Sequence, residues 1–527
     1  MSRATDAVGN RQIFLSLDGL LSVQSVNYEV IIVGAGPIGL TIANLLGLYG
    51  VKTLVLEKEV LSPDAPRAVS LDDESLRIWQ QCGLLDAMSP FIAEGGEGDV
   101  VFTYRTRDGR AIFNMAQHGR PYGYARGNVF LFHRVLEVLR TGAKRFANVE
   151  LRIGWAVQTC TQDNESVLLV ANDQEGQEHN LTATYLVGCD GGRSTIRNAL
   201  NIPMQGSAYS EAWLIVDTFD PDLIGQPIEE GVEVWCDKRC PTASIPLPGG
   251  YRRWEFLLRK DLSASDCPDD DLIRSLIEKR KPLGQARIMR RLVHTYKGSV
   301  AERYSLGHVF LAGDAAHLSP PFAGQGMATG LRDAVNLGWK LAFVLRGVAS
   351  AELLNSYERE CRPHQLRMLR LARRMGKMMM PLFRVQEILV ASLFTLAGRL
   401  SWLRRYMEIR GANITPVYSE RGKGQIGKAG HYLIQPRVGS NRLLDDLLGL
   451  NYSVVTFDRS AQDALSAQEM QYWQRCGTVF LWLRAAGETA EAYQAFSEWL
   501  GGCHCRLLIV RPDRFVMEDR ILPDLVS

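Results

Sequence analysis

The run Tyr28-Glu29-Val30-Ile31-Ile32-Val33-Gly34-Ala35-Gly36-Pro37-Ile38-Gly39-Leu40 constrains this chain more than any other stretch. Its β-branched residues read as a buried parallel strand, its glycines as a tight turn and the residues after them as a helix. Gly34 permits the turn, Gly36 lets backbone approach a pyrophosphate, and Gly39 lets helix and strand pack closely. The helix N-terminus then offers N–H donors to phosphate. Such glycine triplets also occur in ordinary strand-to-helix turns. The sequel favours the nucleotide reading: Val51 to Glu57 is a second apolar strand ending in an acid twenty-three residues after Gly34. That spacing fits a carboxylate that accepts hydrogen bonds from an adenosine ribose and argues against a 2′-phosphate, so NADP is not expected here.

At 527 residues and 46% hydrophobic content the chain has room for two or three domains. A formal charge of +2 gives no electrostatic reason to bind nucleic acid or an anionic membrane. Its ten cysteines are scattered without a CxxC pair, which suits a reducing, cytoplasmic setting. Residues 1–26 lack the apolar segment of a signal peptide and read as a frayed or partly helical extension. The apolar stretch Ile388 to Gly398 is too short to span a bilayer, so no integral membrane segment is expected.

After Glu57 a proline-punctuated loop carries Arg67, which pairs with a pyrophosphate or is simply solvated, and leads to a helix over Asp72 to Cys82. Asp99 to Met115 reads as a hairpin around Asp108-Gly109, Val129 to Phe146 as a helix, and Val149 to Val170 as strands of a meander. Tyr185 to Arg197 repeats the strand, glycine turn and helix, with Asp190 in the turn and Ser194 as cap. From about 207 to 290, tryptophan-rich runs such as Trp213-Leu214-Ile215-Val216 and Trp254-Glu255-Phe256-Leu257-Leu258 suggest an antiparallel sheet. Its aromatics either roof a pocket for a flat ligand or are core.

The second informative stretch is Val309 to Met327. A buried strand delivers Gly313 and Asp314, then His317, a rigid loop through Pro320, and the turn Gly324-Gln325-Gly326-Met327 that opens a helix continuing to Leu345.

Gly34-x-Gly36-x-x-Gly39, Cys189-Asp190-Gly191 and Gly313-Asp314-Ala315-Ala316-His317, in this order, resemble the class A FAD-dependent aromatic monooxygenases. The nearest branch is the 3-(3-hydroxyphenyl)propionate hydroxylase-like and polyketide hydroxylase-like group, and the resemblance is strong over residues 28 to 375. It implies that Gly34, Gly36, Pro37 and Gly39 cradle the FAD pyrophosphate, Glu57 the ribose, and Arg67 the nearby cofactor. Asp190 would serve both FAD and NAD(P)H, and Asp314, beside Gly313, the ribityl chain. Pro320 and Gly324, Gln325, Gly326 and Met327 would lie against the flavin ring. His133 stands where relatives often carry glutamine.

The fold so implied is α/β: a Rossmann-type FAD-binding domain (27–206 and 291–375) with an inserted antiparallel-sheet substrate domain (207–290, joined by the hairpin 99–115). A helical linker (376–430) leads to a thioredoxin-like domain (431–527) without CxxC, in which Cys503-His504-Cys505 is too sparse for a metal or redox site. No metal is expected, the methionines at 378–380 read as packing or pocket lining, and the C-terminal domain reads as structural, with homodimer contacts one use of it and the oligomeric state left open.

The implied activity is hydroxylation of a small phenolic or other aromatic substrate by O2, through C4a-hydroperoxyflavin, with NADH or NADPH as transient co-substrate. His118, Tyr122, Tyr209, His294 and Tyr296 are the candidate bases or relays for a phenol proton. Baeyer–Villiger or other oxygenation of a polycyclic substrate by the same cofactor stays open, as does a ligand-binding flavoprotein without turnover.

Overall fold

The computed structural model describes residues 27–60, 68–94, 101–115, 118–228, 230–258, 268–404, 415–418, 427–440, 442–457, 460–502 and 506–521. The N-terminal extension, Arg67, most of the hinge at 422–430 and the 503–505 triplet lie outside these residues.

Tyr28–Val33 is the central strand of the first sheet, pairing in parallel with Thr53–Glu57 on one side and Glu178–Gly188 on the other. Val149–Ile153 and Val309–Leu311 extend it outward, also in parallel. Residues Val149 to Val170 therefore do not form one meander: the first strand joins the parallel sheet, and only Ala156–Gln162 and Val167–Asn172 run antiparallel. The expected helix over 129–146 starts later, at Phe132, because Asn128–Phe130 pairs as a strand with Ser70–Leu71 and Ile92–Glu94.

Helices Pro37–Leu48 and Gly326–Leu345 pack together over the parallel sheet. A Cβ at Gly330 would lie 2.8 Å from the Ile38 side chain, so the missing side chain sets their separation.

The second sheet has eight strands in the order His317–Leu318, Arg287–Ala301, Met204–Phe219, Tyr251–Leu257, Thr242–Pro246, Val232–Trp235, Phe102–Arg105 and Ala111–Met115. The hairpin residues belong to it, and its strand Arg287–Ala301 crosses position 290 without a break. Alternation along the strands divides the aromatics. Trp235, Trp254 and Phe256 pack with Leu214 and Val216 under helix Asp270–Glu278, whereas Trp213 and Leu257 meet Phe322 on the opposite face. Helix Arg384–Arg399 rests Phe394 on Tyr104 and Phe113, with ring centroids 5.0 and 5.6 Å away.

The C-terminal sheet orders Val479–Trp482, Ser453–Thr456, Arg506–Val510 and Val516–Ile521, the first pair parallel and the rest antiparallel. This is the expected thioredoxin-like arrangement. Arg442–Leu443 pairs with Arg437–Val438, and the short helix Asp445–Leu448 follows. No single helix among the described residues is long and apolar enough to cross a membrane.

Buried ion pairs join this unit to the rest. Arg77 donates to both oxygens of Asp445, at 2.9 and 2.7 Å, and Arg514 lies 3.0 Å from the same carboxylate. Glu360 receives Lys340 and Arg511, each at 2.8 Å. Although burial opposes ionisation, these cations hold the carboxyls of Asp445 and Glu360 down at about 2.

Removing one partner leaves a buried charge poorly compensated, so Arg77→Met should cost about 3 kcal/mol in denaturant unfolding. Both carboxyls ionise more readily folded than unfolded. Their stabilisation is therefore full above the ordinary carboxyl range of roughly pH 4 and lost as pH falls toward 2, a decline that thermal melts across this range should record.

Candidate active site

Two of the fingerprint glycines answer to the protein's own packing and the third does not. At Gly34, with φ +105°, a Cβ would lie 2.3 Å from the Cys189 carbonyl oxygen, and at Gly39 it would lie 2.0 Å from that of Gly34. At Gly36 a Cβ would meet nothing within 4 Å. The space beside Gly36, at the N-terminus of a helix that begins with Pro37, is open as a bound phosphate would need. Glu57 ends its strand there: its Oε2 accepts from Ala35 N–H at 2.8 Å and its Oε1 from Glu59 N–H at 2.9 Å.

Because Leu186 pairs with both Ile31 and Val309, the first and last motifs leave the sheet at one edge. Asp190 lies between them, half-buried, with Oδ2 accepting from Ile196 N–H at 3.1 Å and its buried Oδ1 without a hydrogen-bond partner. Burial raises its pKa. His317 braces the last turn: its Nε2 lies 2.7 Å from Asp333 Oδ2, which also accepts from Gly313 N–H at 3.0 Å. Asp314 is exposed although the residues on either side of it are buried.

Pro320 precedes the short turn Pro321–Ala323, and Gly324 takes φ +61° where a Cβ would meet Ser70 Oγ at 2.9 Å. Helix Gly326–Leu345 begins immediately after Gln325, placing the backbone of Gly326 and Met327 at its first turn. Arg332 anchors this end, donating to Asp72 at 2.5 Å, Glu74 at 2.6 Å and Gln325 Oε1 at 3.3 Å, all in the interior. His133 is exposed at the start of helix Phe132–Lys144, its pKa lowered by partial burial and then by Arg134.

Facing the Gly324–Gln325 turn is a cavity of about 960 Å3, including its mouth. Its wall comes from one face of the second sheet: Glu255, Ala243, Val234 and Tyr104 lie across successive strands in matching register, with Trp213 on the same face, paired to Leu257. Phe322, Met375 and Met379 cover it, and Ser70, Asp72, Arg126 and Asn128 supply polar edges.

Of the expected proton-handling residues, His118, Tyr122, His294 and Tyr296 are not among those lining the cavity. His118 is exposed. Tyr122 hydrogen-bonds Thr415 at 3.3 Å and packs edge-on against Tyr432, where burial pushes its phenol well above the usual range. His294 and Tyr296 pack against each other, 4.8 Å between centroids, on the strand beside Trp213 but outside the cavity lining. The Tyr209 side chain is not among those described. Glu255 and Arg126 were missed by sequence reasoning; the available signal for Glu255 was an acid set between Trp254 and Phe256 in a strand.

Residues 27–372 match the FAD binding domain family and residues 430–523 the HcaD C-terminal domain. The chain belongs to this FAD-binding family, within the class A flavin monooxygenases. It is 36% identical over 511 residues, 93% of each chain, to the 3-(3-hydroxy-phenyl)propionate/3-hydroxycinnamic acid hydroxylase of Burkholderia cenocepacia (strain HI2424). Against the protein of that name from Mycolicibacterium smegmatis the identity is 33% over 516 residues, covering 93% of this chain and 90% of that one. Among solved structures, the flavin-dependent monooxygenase PieE in complex with FAD and substrate superposes with TM-score 0.77 at 20% identity, covering 94% of this chain and 96% of that one. The OxyS anhydrotetracycline hydroxylase from Streptomyces rimosus gives 0.71 at 26% identity with the same coverage. FAD is the cofactor of this fold, and the open face at Gly36, the exposed Asp314 and the helix N-terminus at Gly326 fit it.

The two glycines should therefore separate. Gly36→Ala should leave the melting temperature of FAD-free protein nearly unchanged while weakening FAD binding by about tenfold. Gly39→Ala should cost about 3 kcal/mol of stability through its clash with Gly34. Thermal melts and fluorescence titration with FAD check both.

Proposed function

We propose that the protein hydroxylates a phenolic ring bearing an acidic side chain, using O2 and electrons from NADH or NADPH. The observation that carries this reading is a cavity in which an apolar sheet wall meets the Gly324–Gln325 turn. A flat ring held against that wall lies beside the place where Gly326 and Met327 would support the flavin. The relatives named as 3-(3-hydroxy-phenyl)propionate hydroxylases support the substrate class.

Gly34, Gly36 and Pro37 would hold the pyrophosphate, Glu57 the ribose, Asp190 and Asp314 the linking chain, and Gly324, Gln325, Gly326 and Met327 the ring. When bound and reduced, FAD supplies activation of O2, so that one oxygen atom enters a ring C–H as hydroxyl and the other leaves as water. The chain's own part is electrostatic and steric. The N-terminus of helix Gly326–Leu345 presents aligned N–H dipoles to negative charge on the flavin's pyrimidine side, at no cost of reorganisation. Trp213, Val234, Phe322, Met375 and Met379 keep water from the reacting carbon. Arg126 puts a cation on the lining and favours a carboxylate-bearing substrate.

The FAD-loaded protein should oxidise NADH or NADPH at least tenfold faster with 3-(3-hydroxyphenyl)propionate than alone, and Arg126→Met should raise KM for this acid roughly tenfold or more while leaving 3-ethylphenol little affected. Stopped turnover with quantified product checks this. No acceleration by any member of a broad phenol panel would favour a ligand-binding flavoprotein instead.

A further inference from the structure

Strand Tyr251–Leu257 sends Trp254 and Phe256 into the core beneath helix Asp270–Glu278 and turns Glu255 toward the cavity. Glu255 stands in register between Ile215 and Ala243, and its company in the lining includes Trp213, Val234, Phe322, Met375 and Met379. Only 8% of it is exposed, and its carboxyl accepts no hydrogen bond from any described residue. A carboxyl so placed is costly to the fold.

The other ionisable groups around the cavity are already engaged or of the wrong kind. Asp72 receives Arg332 at 2.5 Å and caps its helix through Ser75. Tyr104 stacks on Phe394, its phenol raised far above the usual range by burial. Arg126 is a cation. On the same face of the sheet, Asp217 is bound by Arg253 at 2.7 and 3.0 Å and by Arg290 at 2.9 Å. Burial is the chief cause that raises the Glu255 pKa; Arg253 opposes it and Asp217 adds to it.

We propose that Glu255 is the base that takes the hydroxyl proton of the phenolic substrate, an inference that rests on the hydroxylase reading above. The phenol O–H bond breaks, its electron pair stays on the oxygen and spreads to the ortho and para carbons, and the proton forms an O–H bond to the Glu255 carboxylate. The ring is then richest in electrons where the new oxygen attaches. When the hydroxylated ring regains aromaticity, the C–H bond of its substituted carbon breaks, its electron pair returns to the ring and its proton goes to the second oxygen atom, which leaves as water; Glu255 returns its proton to the phenolic oxygen and is ionised again. A carboxyl lifted by burial lies closer to a phenol in proton affinity than an exposed one, which is what a base for this step requires.

The test uses FAD-loaded wild type, Glu255→Gln and Glu255→Asp, with 3-hydroxycinnamic acid and cinnamic acid as probes, binding being read from the perturbed flavin absorbance. Wild type should prefer the hydroxylated probe, and its kcat should rise with pH as Glu255 ionises. E255Q should bind cinnamic acid unchanged and lose about tenfold of the preference for the hydroxyl. Its kcat at neutral pH should fall about 100-fold, without the acid limb of the profile, and E255D should recover part of the loss. If wild type hydroxylates the probe and E255Q keeps its kcat, acid limb and hydroxyl preference, the assignment of Glu255 is overturned alone. If wild type holds FAD and hydroxylates neither this probe nor other phenols, the functional reading falls and the assignment with it.

Discussion

The site depends on how the parallel strand Glu178–Gly188 is shared. Its residue Leu186 is in register with Ile31 on one side and Val309 on the other, so three glycine turns from distant parts of the chain end side by side. The packing of that edge is tight: Gly34 lies against the Cys189 carbonyl, Gly39 against Gly34, and Gly313 against the Ile38 side chain, each within 3 Å of where a Cβ would sit. Hydrogen bonding extends the same order outward. Asp333 fixes the Gly313 turn together with His317, and Arg332, one residue earlier on the same helix, reaches Asp72 and Glu74. One helix thus ties the cofactor turn to the polar edge of the substrate cavity.

The second sheet converts strand alternation into a division of labour. Inward residues on one side build a conventional core under helix Asp270–Glu278, and those on the other form a wall of the cavity. The wall is closed by helix Asn355–Met379, which carries Met375 and Met379, and backed by helix Arg384–Arg399 through Phe394. Helix Asn355–Met379 begins inside the matched span 27–372 and helix Arg384–Arg399 comes after it, so the cavity draws its walls from the second sheet and from the end of the FAD-binding family's span together.

Much of this was legible in the sequence because the cofactor edge is built from backbone constraints. Glycine is demanded by contacts of 2.0 to 2.3 Å at Gly39 and Gly34, and such demands leave a fixed spacing in the chain. The strand alternation of the Trp-rich region was equally readable, though which tryptophan faced which side was not; that follows from register with neighbouring strands. Glu255 was invisible as a functional candidate for the same reason. An acid in a strand is ordinarily solvated, and its burial here depends on Ala243 beside it and on Met375, 120 positions later, across the cavity. Arg77 and Asp445 likewise look like surface charges until the fold brings together residues 368 positions apart.

On the proposed function, an aromatic ring held on the sheet wall is oxygenated by FAD bound at the shared strand edge. The decisive measurement is turnover of the FAD-loaded protein with 3-(3-hydroxyphenyl)propionate and NADH or NADPH under 18O2, followed by mass spectrometry of the product. One 18O atom in a new ring hydroxyl is expected. A product carrying the label in a lactone or ester, or nicotinamide oxidation yielding only peroxide with the ring unchanged, would contradict it.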